Sequence, residues 1–199
     1  MKHLIIFARR PQLGRVKTRL AKDIGVVAAY RFYENTLLGL TRSLSSDKRW
    51  KTWLAITPNH TRWNNPFVLK QISQMPQGKG SLGERMFRCI SRFENSPAII
   101  IGSDIPAIKK KHISNAFKAL QRSDFVFGPS YDGGYWLVGA AKGCAAQILF
   151  NNIDWSSDRV LTQTLGNIPT KFRVIFLEKL IDVDDGETYN SWRQATKIT

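Results

Sequence analysis

Short runs of apolar residues alternate along the chain with longer stretches in which apolar residues recur every three or four positions. The short runs predict β-strands at residues 3–8, 52–57, 67–72, 98–101, 124–127, 135–140 and 172–177. The longer stretches predict helices at residues 18–43, 82–94, 111–122, 144–150, 158–165 and 186–195, the first with a break near Gly25. This alternation is typical of βαβ units, so we expect one α/β domain over residues 1–199 with a mostly parallel sheet.

The segment after the first predicted strand combines glycine and proline with a high density of positive charge. Its basic residues are Arg9, Arg10, Arg15, Lys17 and Arg19, and no acidic residue occurs before Asp23. A strand, a basic glycine loop and a helix N-terminus form a phosphate site in many α/β proteins, because free backbone N–H groups and the helix dipole attract an anion. We therefore expect a phosphate site here, formed by Arg9, Gly14, Arg15, Lys17 and Arg19. The structural alternative is a solvated basic turn.

The composition and net charge of the chain narrow the classes of ligand that the protein could bind. The 199 residues carry a formal net charge of +15, which favours anionic ligands such as nucleotides or nucleic acid. Because the chain has no zinc-ligand spacing and no recognition-helix or RNA-binding motif, a nucleic-acid-binding module is only a minor alternative. The two cysteines are too few for a disulfide framework, and no apolar run approaches the ~20 residues of a membrane span. We expect a cytoplasmic protein.

The fully apolar run at residues 98–101 is followed by Gly102, Ser103, Asp104 and, two residues later, Pro106. A carboxylate at the carboxyl end of a central strand is well placed to hold Mg²⁺ or Mn²⁺ against a bound phosphate. The sequence therefore suggests Asp104 as a metal ligand. The alternative is that Asp104 caps the helix that follows Pro106.

A glycine-rich turn at residues 128–136 has an aromatic residue on each side of Asp132, Gly133 and Gly134. The two glycines would let the backbone approach a ligand closely, so Gly133, Gly134 and Tyr135 are candidate substrate-binding residues. Asp132 is the candidate catalytic carboxylate. It could act as a base, or it could bind a hydroxyl group of a sugar or of an acceptor substrate. An Asp-Gly-Gly sequence is also an ordinary hairpin turn, which is the structural alternative.

Three carboxylates are clustered near the end of the chain, at Asp182, Asp184 and Asp185. Alternation places Asp182 and Asp184 on one face of an extended segment. Clustered carboxylates repel one another unless a cation compensates them, so this segment could supply the second ligand of a metal held by Asp104. The alternative is an acidic helix start in which Asp185 caps the helix from Gly186.

Two further segments contain candidate ligand contacts. Lys79 and Arg85 could reach a phosphate, whereas the spacing of Ser81 and Glu84 predicts a capping box at a helix start. Trp155 could stack on a substrate ring, with packing in the core as the structural alternative.

Together these segments resemble a known family. The resemblance rests on residues 7–11, 14–20, 82–86, 102–106, 128–135, 155–157 and 182–184, which run from end to end of the chain. They are similar to the bacterial glycosyltransferase-like proteins of the DUF2064 family. That family is related to nucleotide-diphospho-sugar transferases of the GT-A fold and to the guanylyltransferase of coenzyme F420 synthesis. Arg9 and Ser157 stand where the family usually has Lys and Thr. Asp185 and Thr188 replace its usual Thr and Asp, which leaves the second metal ligand open.

The resemblance implies a three-layer α/β/α sandwich of the GT-A type, a fold whose members transfer either a sugar or a nucleotidyl group. The leading hypothesis is a metal-dependent glycosyltransferase with a nucleotide-sugar donor. The basic loop would take the donor phosphates, Asp104 and Asp184 would hold Mg²⁺ or Mn²⁺, and Asp132, Lys17 and Arg19 would be catalytic. The alternative is a guanylyltransferase-like nucleotidyltransferase that uses a nucleoside triphosphate and a small phosphorylated or carboxylated acceptor. The identity of the acceptor is open in both cases, because fold does not determine function.

Overall fold

The computed structural model of the protein describes residues 1–155 and 157–197, and it contains one seven-stranded sheet. The strands are β1 (His3–Arg9), β2 (Lys51–Thr57), β3 (Ser73–Pro76), β4 (Ala98–Ile101), β5 (Phe125–Pro129), β6 (Tyr135–Ala140) and β7 (Val174–Phe176). The helices are α1 (Leu20–Ile24), α2 (Val26–Ser45), α3 (Pro66–Gln71), α4 (Leu82–Ser91), α5 (Lys110–Ala119), α6 (Val160–Gly166) and α7 (Gly186–Lys197), with a 3₁₀ helix at Ala146–Phe150.

The strands lie in the order β3-β2-β1-β4-β6-β5-β7. All neighbouring pairs are parallel except those of β6, which runs antiparallel to both β4 and β5. The prediction of a mostly parallel sheet is confirmed. Because β6 is reversed, its first residue lies at the same edge of the sheet as the last residues of β1, β4 and β5. The segments that follow β1 and β4 and the turn that joins β5 to β6, which are distant from one another in sequence, therefore meet at this edge.

Helices cover both faces of the sheet, as expected for a three-layer sandwich. Alternate strand residues such as Ile6 and Ile101 pack against α2 and α5 on one face, and Ile5 and Ile100 pack against α4 on the other. Leu4, Ile5 and Ile6 are all fully buried, which explains why β1 is a continuous apolar run rather than an alternating one. A smaller cluster of Leu20, Phe32 and Val183 joins α1, α2 and the segment before α7, and Tyr189 and Trp192 of α7 pack against it.

The strand predicted at residues 67–72 is wrong. This segment is the helix α3, with Pro66 as its first residue and an Asn65 side chain that accepts a hydrogen bond from the backbone N–H of Phe67. An Asn cap followed by proline is a helix-start signal, and it outweighs the apolar run that follows. The third strand lies directly after this helix, at Ser73–Pro76. In the described residues, no helix is long and apolar enough to cross a membrane.

Candidate active site

The candidate site lies at the sheet edge where β1, β4 and β5 end. The basic loop at residues 10–19 leaves β1, Asp104 follows β4, and the glycine-rich turn connects β5 to β6. The chain returns to the same edge after β7, where Leu180 N–H donates to Pro129 C=O and Val183 N–H donates to Asp104 C=O. These two bonds align the acidic segment with the ends of β4 and β5. The arrangement brings the basic loop, Asp104, the turn and the acidic segment together, as the sequence predicted.

At the centre of the site, Lys17 bridges the two predicted metal ligands. Its Nζ lies 2.9 Å from Asp104 Oδ2 and 2.5 Å from Asp184 Oδ1. Only 5% of the Lys17 side chain is exposed, against 33% for Asp104 and 41% for Asp184. Arg19, on the outside, lies 4.0 Å from the other oxygen of Asp184. The Lys17 ammonium group thus forms ion pairs with two carboxylates and is not exposed to solvent in the basic loop.

The ion pairs keep Lys17 protonated. Burial on its own lowers the pKa of Lys17, but the adjacent Asp104 and Asp184 outweigh burial and raise it above its ordinary value. The backbone of Lys17 has a φ of +48°, in the left-handed region that is uncommon for residues other than glycine. Lys17 has this backbone conformation at the point where its side chain turns inward to Asp104 and Asp184.

A buried tyrosine on α2 fixes the point at which the basic loop leaves the sheet. The Tyr33 hydroxyl accepts a hydrogen bond from Arg9 N–H and donates to Arg9 C=O. It also lies 3.2 Å from the hydroxyl of Ser103, next to Asp104. Neither Tyr33 nor Ser103 was singled out from the sequence, since a tyrosine on an apolar helix face gives no signal of this kind. Their contacts tie the ends of β1 and β4 together.

Two concave regions share this centre. The first, which we call the basic cleft, has a volume of about 360 Å³. Its lining residues are Arg9, Arg15, Val16, Lys17, Thr18, Arg19, Tyr33, Ser103, Asp104 and Asp184. Four of the five basic-loop residues predicted to bind phosphate are among them, and Gly14 is the exception. Gly14 lies in the exposed turn of the loop with a φ of +71°, so its role here is conformational.

The second region, which we call the acidic cavity, has a volume of about 480 Å³ and opens beside the basic cleft. Its polar lining residues are Arg19, Asp104, Ser130, Asp132, Ser157, Asp158, Asp182 and Asp184. Gly134, Tyr135 and Trp155 also line it, together with apolar side chains from β1, β4, β6 and α4. Asp104, Asp184 and Arg19 belong to both regions and therefore form the boundary between them.

The glycine-rich turn holds Asp132 at the mouth of the acidic cavity. Asp132 Oδ1 accepts hydrogen bonds from the Ser130 hydroxyl at 2.5 Å and from Gly134 N–H at 3.0 Å. A Cβ atom added to Gly133, whose φ is +87°, would lie 1.9 Å from the backbone oxygen of Asp158. Gly133 therefore does not line the cavity but allows the turn to pack against the start of α6. The segment is a hairpin turn with a register shift between Gly128 and Pro129, and its residues Ser130, Asp132 and Gly134 line the acidic cavity.

Asp182 was considered only as an alternative ligand in the acidic segment, yet it lines the acidic cavity. Burial raises the pKa of Asp182 to about 6, and the negative charges of Asp132 and Asp184 add to this effect. The alternation of Asp182 and Asp184 along an extended segment was the signal that could have placed both side chains in the site.

Asp185 has a different role from its neighbours, because it caps α7. Asp185 Oδ1 accepts a hydrogen bond from the N–H of Thr188 at 2.9 Å, and Thr188 Oγ1 accepts from Asp185 N–H. These two hydrogen bonds form a reciprocal cap at the start of α7. The family usually has Thr at position 185 and Asp at position 188, so the two residue types are exchanged in this chain. The exchange keeps the cap and leaves Asp184 free to face Lys17, so Asp184 is the residue paired with Asp104.

The structure does not bring Lys79 and Arg85 to the site. Arg85 donates to the side chain of Gln77, and the exposed Lys79 is held through its C=O by Arg88. Neither residue lines the basic cleft or the acidic cavity. The capping box of Ser81 and Glu84 is confirmed at the start of α4. Trp155 packs beside Phe150 and also lines the acidic cavity, and its stacking on a substrate ring stays a prediction. Ser156 in the same segment lies outside the described residues.

The Asp104–Asp184 pair fits a divalent cation. Both carboxylates already hold one positive charge between them, at 2.9 Å or less. No group of three or more His, Cys, Asp and Glu side chains in the described part of the chain is spaced to hold a metal ion. Protein ligation would therefore come from two carboxylates, with water and phosphate oxygens as the remaining ligands, which is the usual manner of Mg²⁺ binding at phosphate sites.

A family model for bacterial proteins of uncharacterized function, DUF2064, matches residues 40–157. The chain belongs to the DUF2064 family. No curated protein matches it.

Solved structures extend this relationship over the whole chain. A protein of Desulfovibrio desulfuricans G20 assigned to the nucleotide-diphospho-sugar transferases superposes with a TM-score of 0.89 at 26% identity, covering 98% of this chain and 87% of the other. A nucleotidyl transferase of Methanothermobacter superposes with a TM-score of 0.68 at 12% identity, over 98% and 97% of the two chains. A cytidylyltransferase of Leptospira borgpetersenii gives 0.63 at 11% identity, over 100% and 87%.

These neighbours confirm the fold of this DUF2064 member as that of the nucleotide-diphospho-sugar transferases and nucleotidyltransferases. The neighbours themselves are transferases. The resemblance inferred from the motifs at both ends of the chain is therefore confirmed by the complete structure.

Proposed function

We propose that this protein is a metal-dependent glycosyltransferase that uses a nucleotide-sugar donor. The observation that carries the proposal is the junction of the basic cleft and the acidic cavity at Asp104 and Asp184. A donor diphosphate would lie in the basic cleft, and the acceptor would lie in the acidic cavity. The bond to be broken would then lie at the boundary, beside the two carboxylates. Membership of a fold class whose solved representatives are transferases supports this assignment.

In the proposed reaction, an acceptor hydroxyl attacks the anomeric carbon of the donor sugar, and the bond from that carbon to the diphosphate breaks. The nucleoside diphosphate leaves with the bonding electrons. Asp132 would accept the hydroxyl proton through Oδ2, since the hydrogen bonds found in the described residues engage Oδ1. Lys17 and Arg19 would stabilise charge on the leaving diphosphate. Asp104 and Asp184 would hold Mg²⁺ or Mn²⁺, which would further neutralise the charge of the leaving diphosphate.

This role requires Lys17 Nζ to move from the carboxylates to the phosphate. In the structure Nζ occupies the position between Asp104 and Asp184, where a metal ion would lie. A donor phosphate would attract the ammonium group and so release both carboxylates for the metal. Donor and metal are therefore expected to bind together more tightly than either binds alone.

The second candidate is a nucleotidyltransferase, for which the same basic cleft would hold a nucleoside triphosphate and the departing group would be pyrophosphate. The solved neighbours of that activity support it. A panel of nucleoside diphosphate-sugars and nucleoside triphosphates, measured by thermal shift with and without Mg²⁺ or Mn²⁺, separates the two. A ligand at 100 times its Kd adds about 2.7 kcal/mol to the free energy of unfolding. Stabilisation by triphosphates alone would favour the second candidate, and stabilisation by neither would reject both.

A further inference from the structure

The acidic cavity has an unusual charge for a substrate site in a chain of net charge +15. Five aspartates line it, and Arg19 is the basic side chain among its lining residues. In the described residues, no Lys, Arg or His nitrogen lies within 4.0 Å of the carboxylates of Asp132, Asp158 or Asp182. A phosphate or carboxylate placed here would lie beside several uncompensated negative charges, and like charges brought together at a binding site strongly disfavour the complex.

Binding of donor and metal would not reverse this charge. The cation would be shared by Asp104, Asp184 and the donor diphosphate, all on the side of the cavity that faces the basic cleft. Asp132, Asp158 and Asp182 line the acidic cavity but not the basic cleft, so the cation would not neutralise their carboxylates. The acceptor side of the site therefore disfavours the binding of an anion throughout the proposed reaction.

The deeper wall of the acidic cavity is apolar. Phe7 on β1, Ile100 on β4 and Val138 on β6 line it from the sheet, and Met86 on α4 lines it from the helix layer. Trp155 is half-buried at its side. A volume of about 480 Å³ lies within the range of small-molecule sites, and an apolar wall of this kind favours a ligand with an apolar body.

We infer that the acceptor is an uncharged alcohol whose hydroxyl group is carried on an apolar body, and not a phosphorylated or carboxylated compound. The hydroxyl would face Asp132 at the polar rim, and the apolar body would contact Phe7, Met86 and Val138. This inference rests on the proposed function for the identity of the acidic cavity as the acceptor site. It argues against the small anionic acceptor that was considered for a nucleotidyltransferase.

Binding of matched probes to the whole protein tests this inference. Benzyl alcohol, benzyl phosphate and glycerol are titrated at constant ionic strength, with saturation-transfer NMR and isothermal titration as readouts. We expect benzyl alcohol to bind at least tenfold more tightly than benzyl phosphate and than glycerol. Tighter binding of benzyl phosphate would overturn the exclusion of anions. Equal binding of glycerol and benzyl alcohol would overturn the inference that the acceptor has an apolar body.

The double variant Asp158→Asn with Asp182→Asn localises the effect, because it removes two charges that line the acidic cavity without changing side-chain size. Benzyl phosphate is expected to bind at least tenfold more tightly to this variant, whereas benzyl alcohol should change less than threefold. The control is Asp47→Asn with Glu94→Gln, which makes the same change in net charge away from the acidic cavity. An equal gain in the control would show a general charge effect and overturn the inference.

Nucleotide binding by the same samples is measured separately by thermal shift, which keeps the two proposals distinct. Preferential binding of benzyl alcohol without any nucleotide binding would reject the transferase function and support the specificity of the cavity. Preferential binding of benzyl phosphate with normal nucleotide binding would reject the inferred acceptor and leave the transferase function in place.

Discussion

Lys17 shows how one side chain can serve two anionic partners. In the structure its ammonium group pairs with Asp104 and Asp184, and the raised pKa keeps it charged. The sequence predicted a phosphate ligand at this position, which stays a prediction. Both roles depend on the same positive charge, and competition between carboxylates and phosphate would couple metal binding to donor binding.

The variant Lys17→Met tests this coupling. We expect Mn²⁺ to bind more tightly to the variant in the absence of nucleotide, by about tenfold or more, because each charge-assisted hydrogen bond to a carboxylate is worth ~1.5–3 kcal/mol. Nucleotide affinity should fall roughly 10- to 150-fold for the same reason. Electron paramagnetic resonance of free Mn²⁺ and isothermal titration measure the two effects.

The matched control is Arg19→Met, which also removes one positive charge but from a side chain that is 81% exposed and 4.0 Å from Asp184. Its effect on Mn²⁺ binding should be much smaller. An unchanged Mn²⁺ affinity in Lys17→Met would show that Lys17 does not compete with the metal.

Asp182 predicts a distinct dependence of stability on pH. Its pKa is about 6 in the folded protein and near 3.9 in the unfolded chain, so the folded state holds the proton more tightly between these values. The stability of the wild type therefore falls as pH rises from about 4 to 6 through this group. Asp182→Asn should be more stable than wild type at pH 7 by about 1–2 kcal/mol, after allowance for partial exposure, and equal to it near pH 4. Urea unfolding at both pH values measures the difference, and an equal gain at pH 4 would contradict the assignment.

At the scale of elements, the turn between β5 and β6 positions a functional carboxylate through close packing. Gly133 has a φ of +87°, and its Cα faces the backbone of Asp158 so closely that an added Cβ would lie 1.9 Å from the oxygen atom. Leu161 N–H also donates to Gly133 C=O, which links the turn to α6. The position of Asp132 thus depends on contact between two elements that are separate in sequence.

Gly133→Ala should cost about 3 kcal/mol or more, because it combines left-handed backbone strain of ~1–2 kcal/mol with overpacking of ~1–3 kcal/mol. Gly143→Ala is the control, since Gly143 has a φ of +77° but open space around it, and it should cost only the strain. Thermal and urea unfolding compare the two variants. Equal losses would mean that the packing of the turn on α6 contributes little.

At the scale of the whole molecule, the site is assembled from both ends of the chain. Its charged groups come from residues 9–19, from Asp104, from Asp132 in the turn between β5 and β6, from Asp158 and from the segment at 182–184. The net charge of +15 guides anions toward the protein in general, but the local charge changes sign between the basic cleft and the acidic cavity. Substrate selection is therefore expected to follow the local charge rather than the total.

Hydrogen exchange with a bound nucleotide tests this assembly. With Mg²⁺ present, we expect added protection in residues 10–19 and 182–184 together, because the phosphate would bind Lys17 in the first segment and Asp184 in the second would hold the metal ion. The capping box of α4, which contains neither a basic-cleft nor an acidic-cavity charge, serves as the internal reference. Protection confined to residues 10–19 would show that the acidic segment takes no part in nucleotide binding.

The sequence by itself determined the alternation of strands and helices, the chemical character of each loop and the family resemblance. These properties depend on neighbouring residues, such as the apolar run before Arg9 or the spacing of Ser81 and Glu84. The same local reasoning failed at residues 67–72, where a cap from Asn65 and Pro66 outweighed the apolar run.

Only the tertiary structure decided which charges meet. The pairing of Lys17 with Asp104 and Asp184 depends on strand order and on the return of the chain after β7, which no local pattern encodes. Arg85 is held away from the site by its hydrogen bond to the Gln77 side chain, and Lys79 lines neither the basic cleft nor the acidic cavity. Side chains of equal charge thus differ in role, because ion pairing and burial depend on distances in three dimensions rather than on separation along the chain.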